Sequence, residues 1–184
     1  VIMGLSGSGK STLARCVNRI IEPDAGQLLL DGEDYTTCTP GRMRDLRRRR
    51  ISMVFQNFGL LPNQTVIDNV ALGLKLRREP LAERHRKAGE MLEIVGLSEW
   101  ASHLPGELSG GMRQRVGLAR ALATEADVPI MDEVFSALDP LIRTEMQDEL
   151  LRLQTTLHKT VLFITHDFQE ALRLGTRIAV MADG

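Results

Sequence analysis

The sequence predicts an α/β fold in which a mostly parallel sheet is flanked by helices. Short apolar runs bounded by polar or glycine residues alternate along the chain with longer segments of helical periodicity. Continuous apolar strands are typical of parallel sheets, because helices cover both faces of such sheets. In addition, residues 65–123 show helical periodicity and no convincing strand, which indicates a helical subdomain inserted between two strands.

The individual elements follow from the same patterns. We expect strands at residues 1–3, 27–30, 51–55, 128–131, 160–164 and 177–181, and the clearest helices at 10–21, 83–95, 111–123, 141–156 and 168–174. The arginine-rich run 42–50 is interpreted as a solvent-exposed helix that precedes a strand. Aromatic residues make up only 4% of the chain, so a nucleic-acid-binding patch there would lack base-stacking partners.

Pro129 is unexpected in the strand predicted at residues 128–131. Proline donates no backbone hydrogen bond and is normally confined to sheet edges, strand starts or bulges. Two interpretations therefore stay open. Either the strand starts at Ile130, or the sheet lacks one hydrogen bond at this position.

The composition is that of an ordinary globular domain. Hydrophobic residues make up 43% and charged residues 26% of the chain, and 23 Lys and Arg against 24 Asp and Glu give a formal net charge of -1. This balance provides no overall attraction to nucleic acid or to anionic membranes. Cys16 and Cys38 have no metal-ligand spacing and are interpreted as reduced thiols of a cytosolic protein.

Residues 1–184 are predicted to form one domain, with the helical subdomain at about 65–123 inside it. The chain opens within a strand and closes on a strand that runs into a turn, so we expect a fragment truncated at both ends. No apolar run approaches the roughly 18 residues that a transmembrane helix needs. Work at a membrane is therefore expected to require docking onto another subunit.

A glycine-rich loop follows the first expected strand and opens a helix. It matches the pattern G-x-x-x-x-G-K-S/T, in which glycines let backbone N–H groups point at phosphate oxygens and the helix dipole adds positive potential. Lys10 is expected to reach the β- and γ-phosphates, and the Ser11 hydroxyl to ligate Mg²⁺. This pattern predicts a P-loop NTPase. The expected nucleotide-binding residues of the loop are Gly4, Leu5, Ser6, Gly7, Ser8, Gly9, Lys10, Ser11 and Thr12.

Two carboxylates follow the strand expected at residues 128–131. Asp132 and Glu133 come directly after its apolar residues. The carboxyl ends of parallel strands meet at one edge of the sheet, so these acids are expected beside the phosphate loop. Asp132 is expected to hold Mg²⁺, directly or through water, and Glu133 to polarise the water that attacks the γ-phosphate.

A second glycine-rich segment, Leu108-Ser109-Gly110-Gly111-Met112, precedes another expected helix. Ser109 is a good N-cap residue, and no side chain obstructs the backbone N–H groups of Gly110 and Gly111. The segment therefore forms a second anion site at a helix N-terminus. Because the first loop already holds the γ-phosphate from one side, this second site is best used from another subunit that closes over the same phosphate.

This segment resembles the signature motif of ABC ATPases, and the other motifs of that family follow in order. Gln56 resembles the Q-loop glutamine, which touches Mg²⁺ and senses a membrane subunit. The run Ser136-Ala137-Leu138-Asp139 resembles the D-loop, which crosses the dimer interface. His166 resembles the switch histidine, which contacts the γ-phosphate. The resemblance covers essentially the whole chain and implies an ABC-type helical subdomain.

The resemblance also implies how the protein works. Two identical ATPase subunits sandwich two ATP molecules, and the closing motion is transmitted to transmembrane permease subunits. Lys10, Glu133 and His166 are the implied catalytic residues, and Ser11, Gln56 and Asp132 the implied Mg²⁺ ligands. The implied contacts to ATP from outside the phosphate loop come from Gln56, Ser109, Gly110, Gly111 and Asp139.

Several stretches, above all residues 135–150, resemble the ATPases of quaternary-amine importers, which move glycine betaine, proline betaine, choline or proline. This likeness implies an osmoprotectant importer, with a periplasmic or extracellular substrate-binding protein in the same complex and no nucleic-acid partner. It places the chain at the cytoplasmic face of the bacterial plasma membrane. Phe58, Leu60 and Leu61 are unusually apolar for a loop, so they either dock the permease or pack into the core.

The chain departs from the family pattern in a few places. Val134 stands where related importers have Ala or Pro, and neither Tyr35 nor Trp100 lies where the family stacks an aromatic ring on adenine. Three alternatives are kept beside the importer. They are a DNA-repair or chromosome-organising ATPase, a soluble ABC protein acting on ribosomes, and a non-hydrolysing fragment. The first would require long coiled coils, and the interval 56–108 contains no sustained heptads.

Overall fold

The computed structural model describes residues 1–55, 59–136, 138–157 and 159–182. Within these residues, five parallel strands form one sheet in the order β4-β5-β6-β1-β7, and two short antiparallel strands form a second sheet. The strands are β1 (Ile2–Gly4), β2 (Leu29–Leu30), β3 (Glu33–Asp34), β4 (Ile51–Val54), β5 (Val128–Asp132), β6 (Leu162–Thr165) and β7 (Ala179–Met181). The parallel sheet confirms the predicted architecture.

Eight α-helices lie within the described residues. They are α1 (Lys10–Val17), α2 (Pro40–Arg49), α3 (Val66–Val70), α4 (Leu72–Leu76), α5 (Leu81–Ile94), α6 (Gly110–Ala123), α7 (Pro140–Leu157) and α8 (Phe168–Leu174). Helices α3 to α6 all fall between β4 and β5 in the chain, as the helical periodicity of that interval predicts. No helix in the described ranges has the length and apolar character needed to cross a membrane.

Both faces of the parallel sheet are covered. Ile130 of β5 packs into one hydrophobic cluster, whereas its neighbour Met131 packs into another. In β6, Phe163 and Ile164 divide between the same two clusters in the same way. Successive side chains of a strand point to opposite faces, so this division places helices on both sides of the sheet. It explains why the strands are continuously apolar rather than alternating.

The ends of the first helix and of the second strand differ from the prediction. Helix α1 ends at Val17 rather than at residue 21, because Arg19 adopts a left-handed backbone with a φ of 48°. The strand expected at residues 27–30 is reduced to β2, which pairs with the unpredicted β3. The turn between them, Asp31-Gly32, has positive φ at both residues, which is a common hairpin connection.

Pro129 lies inside β5, which begins at Val128, so the interpretation that the strand starts at Ile130 is wrong. The backbone N–H of Val128 donates to the Arg50 carbonyl on the β4 side. Because N–H directions alternate along a strand, the nitrogen of Pro129 faces β6, where paired residues begin only at Ile130 opposite Leu162. The missing hydrogen bond therefore falls at the beginning of the β5–β6 ladder.

Candidate functional site

The glycine-rich loop joins β1 to α1 and has the backbone that the sequence predicts. Gly7 and Gly9 have φ values of 86° and 87°, which glycine adopts without strain. Gly9 is the N-cap of α1, so the positive end of this helix faces the loop. At Gly4, a Cβ atom would lie 2.1 Å from the backbone oxygen of Met181 in the neighbouring β7. Only glycine fits where the chain leaves the sheet.

Lys10 is buried beneath this loop. Its Nζ donates hydrogen bonds of 2.9 and 2.7 Å to the carbonyl oxygens of Gly4 and Leu5. A cavity of about 230 Å³ lies over the loop. It is lined by Ser6, Gly7, Gly9, Lys10, Ser11, Thr12 and Glu133. The loop is therefore a cradle with a buried cation at its base, as the phosphate-binding pattern predicts.

The remaining loop residues have other positions. Gly4 and Leu5 contribute carbonyl oxygens to Lys10 but do not line the cavity. Leu5 is among the exposed hydrophobic side chains, whereas Ser8 is buried and its Oγ atom has no hydrogen-bond partner. The predicted contacts of Gly4, Leu5 and Ser8 with nucleotide stay predictions.

Asp132 ends β5 beside the loop and is buried. Its Oδ1 accepts a hydrogen bond of 2.9 Å from the Ser11 hydroxyl, while its Oδ2 is buried without a partner. Burial raises the pKa of Asp132, although the hydrogen bond from Ser11 opposes this shift. An unpaired carboxylate oxygen beside a serine hydroxyl matches the oxygen ligands that Mg²⁺ prefers. The two residues predicted to hold the metal are thus in direct contact.

Few protein side chains are available as ligands for a metal ion at this site. Among the described residues, no three His, Cys, Asp or Glu side chains group closely enough to hold a metal ion by themselves. A cation at Ser11 and Asp132 would complete its coordination with phosphate oxygens and water, as Mg²⁺ commonly does. The third predicted ligand, Gln56, lies outside the described residues.

Glu133 has a strained backbone at the edge of the cavity. Its φ of 51° is uncommon for a residue with a side chain, and such strain often marks functional sites. Its backbone N–H donates to the Ile164 carbonyl at 3.0 Å. Its own carbonyl accepts hydrogen bonds from Ser136 N at 3.2 Å and Ser136 Oγ at 2.9 Å, and from Gln114 Nε2 at 3.5 Å. These contacts fix the strained conformation.

Glu133 and His166 meet at the carboxyl ends of two adjacent strands. The Glu133 Oε1 atom lies 3.2 Å from Nδ1 of His166, which follows β6. The Glu133 side chain is 16% exposed and that of His166 is 58% exposed. The histidine therefore contacts a glutamate that lines the cavity and keeps much of its own side chain exposed. Its contact with a γ-phosphate, which the family resemblance implies, stays a prediction.

The structure does not bring the second glycine-rich segment to this cavity. The Ser109 hydroxyl caps α6 by accepting a hydrogen bond of 3.2 Å from the Met112 N–H, and both Ser109 and Gly110 are exposed. None of the residues 109–111 lines the cavity over the phosphate loop. Asp139 is likewise exposed, and its Oδ1 accepts a hydrogen bond of 3.1 Å from the Ile142 N–H at the beginning of α7.

The two described leucines of the apolar loop after β4 differ in burial. Leu60 packs against the hydrophobic core, whereas Leu61 is 40% exposed. Phe58 lies outside the described residues. Val134 is buried in the main hydrophobic cluster, so the larger side chain at this position is accommodated by packing. Core packing is therefore confirmed for Leu60, whereas docking of the permease by Leu61 stays a prediction.

Sequence reasoning missed the buried polar residues that support the site. Gln114 is 1% exposed and reaches the Glu133 carbonyl, and Glu170 is 6% exposed behind His166. Both lie on helices whose apolar pattern predicts burial of their positions. A polar residue on an apolar helix face is the available signal, because buried polar groups need specific partners.

The fold and the site together define a nucleotide-binding domain of the phosphate-loop class. A parallel sheet brings a phosphate cradle, a Ser–Asp pair suited to a divalent cation and a Glu–His pair to one edge. The family comparison places this domain more closely. The chain belongs to the ABC transporter family, whose model matches residues 1–136.

Several transport proteins are similar over the whole chain. The glycine betaine/proline betaine transport system ATP-binding protein ProV of Escherichia coli is 57% identical over 184 residues, which is 100% of this chain and 46% of ProV. The glycine betaine transport ATP-binding protein OpuAA of Bacillus subtilis is 55% identical, again over 100% of this chain and 44% of OpuAA. The chain thus spans about half the length of these curated relatives.

Solved structures agree with this assignment. The fold matches the dimeric structure of MJ0796, described as a bacterial ABC transporter cassette, with a TM-score of 0.94 and 36% identity. The match covers 100% of this chain and 80% of that one. A post-hydrolysis state of the same cassette, bound to ADP and Pi, matches with a TM-score of 0.93 over the same shares of both chains.

Proposed function

We propose that this chain is the ATP-binding and ATP-hydrolysing part of an importer for glycine betaine, proline or choline-type osmoprotectants. The observation that carries the hydrolytic part is the meeting of Ser11 with Asp132, and of Glu133 with His166, beside one phosphate cradle. The substrate class rests on the names of the similar transport proteins. Those names give no support to a role on ribosomes or DNA.

The residues of the cradle divide the chemistry among them. Lys10 and the backbone of the loop bind the β- and γ-phosphates. The Lys10 ammonium has three N–H donors, of which the carbonyls of Gly4 and Leu5 take two, so one is left for a phosphate oxygen. Ser11 and Asp132, with Gln56 as a further proposed ligand, hold Mg²⁺. When bound, this cation neutralises charge that develops on the phosphates.

Glu133 and His166 act on the far side of the γ-phosphate. Glu133 accepts a proton from the attacking water, or orients that water, while His166 contacts the γ-phosphate. The hydrogen bonds to the Glu133 backbone fix the point from which its side chain reaches the cavity. Such preorganisation is what an acid–base group needs, because reorganisation during the reaction adds to the barrier.

The complete site requires two copies of the chain. Ser109, Gly110 and Gly111 form an exposed helix N-terminus outside the cavity of their own subunit. In the proposed homodimer they close over the phosphate held by the partner, and Asp139 lies at the interface. The dimeric structure of the similar cassette MJ0796 supports this arrangement.

A second surface suits the proposed permease. A groove of about 320 Å³ lies between the sheet and the helical insertion. Its lining includes Phe55, Leu72 and Leu76, and Leu76 is 54% exposed. Exposed apolar side chains in a groove are typical of protein-binding surfaces. We assign the permease to this groove. By similarity to the transport ATP-binding proteins, the proposed location of the chain is peripheral, at the cytoplasmic face of the plasma membrane and opposite the substrate-binding protein.

ATP hydrolysis by the protein tests the catalytic assignment. Glu133→Gln is expected to lower kcat by roughly 100-fold or more, since general base catalysis contributes about 100- to 10,000-fold. Glu93→Gln, at an exposed glutamate of helix α5 that does not line the cavity, is the control and is expected to leave kcat unchanged. Equal activity of the two variants would exclude Glu133 as the catalytic base.

Transport tests the substrate class. The protein, assembled with its permease and binding protein in proteoliposomes, is expected to import labelled glycine betaine in an ATP-dependent manner. Labelled histidine serves as the control substrate. ATP-dependent uptake of histidine without uptake of glycine betaine, choline or proline would contradict the assignment.

A further inference from the structure

A buried glutamate anchors the turn that carries His166. Glu170 in α8 is 6% exposed, and its Oε2 accepts a hydrogen bond of 2.6 Å from the Thr165 hydroxyl. The oxygen of that hydroxyl in turn accepts a hydrogen bond of 3.0 Å from the backbone N–H of Asp167. Thr165 and Asp167 flank His166 in the chain. The two hydrogen bonds therefore close the turn in which the histidine lies.

The same glutamate joins this turn to helix α7. Glu170 Oε1 accepts a hydrogen bond of 3.3 Å from Nε2 of Gln147, which is 5% exposed. Gln147 Oε1 accepts a hydrogen bond of 3.1 Å from Arg173 of α8. Helix α7 begins directly after Asp139, the residue proposed to lie at the dimer interface. Buried hydrogen bonds thus run from α7 through Glu170 to the turn of His166.

Burying a carboxylate between two helices carries a desolvation cost that an apolar contact would not. Burial raises the pKa of Glu170, and the hydrogen bond from Thr165 opposes this shift. Buried ionisable groups can often be replaced by apolar residues without loss of stability, so packing alone does not require a carboxylate. The carboxylate fixes the position of the His166 turn relative to helix α7, because one of its oxygens binds Thr165 and the other binds Gln147.

We propose that Glu170 is a positioning residue for His166, and that Gln147 makes the position of this histidine depend on helix α7. Subunit closure that moves the beginning of α7 then also sets the distance from His166 to the γ-phosphate. This inference rests on the proposed function, in which His166 contacts that phosphate. Glu170 touches neither substrate nor metal in this scheme.

A double-mutant cycle on ATP hydrolysis by the protein tests the inference. Glu170→Ala is expected to lower kcat roughly 10- to 100-fold, because a displacement of about 1 Å at a catalytic group can cost 100-fold. The KM for Mg-ATP is expected to change by less than about twofold, since binding depends on the phosphate loop. In a His166→Ala background, Glu170→Ala is expected to lower the residual kcat by less than about twofold, because no histidine remains to be positioned.

A control variant separates positioning from general loosening of the two helices. Asp148 of α7 pairs with Arg173 of α8 at 2.6 Å, but its side chain is 61% exposed and it does not contact Glu170. Asp148→Asn is expected to leave kcat unchanged. Thermal unfolding identifies variants that do not fold. If Glu170→Ala is one of them, Glu170→Gln and Gln147→Ala replace it in the cycle.

The outcomes distinguish the two levels of the argument. Unchanged kcat in the folded Glu170 variant, or the same fold loss with and without the His166 side chain, would overturn the role of Glu170 alone. Absence of ATP hydrolysis in the wild type, or full activity of His166→Ala, would overturn the proposed function and this inference with it.

Discussion

The unpaired carboxylate of Asp132, a proposed Mg²⁺ ligand, predicts that removing its charge stabilises the protein. Asp132 is 1% exposed, and its Oδ2 has no hydrogen-bond partner in the absence of a cation. Leaving a buried polar atom unsatisfied costs about 1–3 kcal/mol, and more when the group is charged. Asn keeps an oxygen that accepts the hydrogen bond from Ser11 but removes the charge. We expect Asp132→Asn to raise the free energy of unfolding by about 1–2 kcal/mol at pH 7.

The pH dependence of this gain follows from the direction of the pKa shift. Burial raises the pKa of Asp132 above its value in the unfolded chain, so at neutral pH the folded state holds an unfavourable charge. As the pH falls through the raised pKa, the wild-type carboxyl group takes up a proton and the penalty disappears. The advantage of Asp132→Asn is therefore expected at pH 7 and should shrink towards pH 4.

Urea unfolding in EDTA, without nucleotide, measures the effect, and Asp127→Asn is the matched control. Asp127 lies just before the other end of β5. Burial there is outweighed by the hydrogen bonds from Arg50 and Lys159, so the pKa of Asp127 is lowered. Asp127→Asn should therefore destabilise at pH 7, by less than about 1 kcal/mol at this exposed site. A wild type at least as stable as Asp132→Asn at pH 7, or an advantage that grows as the pH falls, would refute the reasoning.

Two further predictions concern the sheet. Gly4→Ala places a Cβ against the Met181 backbone oxygen, which cannot move aside, so a loss of about 1–3 kcal/mol is expected. Gly89→Ala in α5, where a Cβ meets nothing within 4 Å, should instead raise the free energy of unfolding by about 0.5–1 kcal/mol. Equal shifts of the melting temperature in the two alanine variants would contradict the clash at Gly4. Pro129→Leu should stabilise modestly, because a gained hydrogen bond of about 0.5–1.5 kcal/mol exceeds the lost rigidity of the unfolded chain. An unchanged or lower melting temperature would contradict that explanation.

The sequence predicts the parts of the site whose chemistry is local. In the phosphate loop, residue types, spacing and a strand–loop–helix context coincide, and the structure places Lys10 and Ser11 at the cavity over that loop. Asp132 and Glu133 are predicted by the rule that parallel strands end at one edge of a sheet. These inferences rest on a local motif and on a general rule of parallel sheets, so a single sequence is enough to make them.

Other features depend on partners far along the chain and have no local pattern. The left-handed backbone of Glu133 is stabilised by hydrogen bonds with Ile164 and Ser136. An Asp-Glu pair in the sequence gives no signal of this conformation. Helix α1 ends early because Arg19 turns towards the carbonyls of Tyr35 and Cys38. The role of Glu170 likewise depends on Thr165 and Gln147. Tertiary contacts override local propensity in each case.

The most direct test of the composite ATP site is the mass of Glu133→Gln in solution, measured by light scattering with and without Mg-ATP. If ATP is part of the subunit interface, blocked hydrolysis leaves it bound between two copies. We therefore predict that Mg-ATP converts this variant from monomer to dimer, and that adding Lys10→Ala abolishes the conversion. A variant that binds Mg-ATP, as measured with a fluorescent analogue, yet stays monomeric would contradict the account.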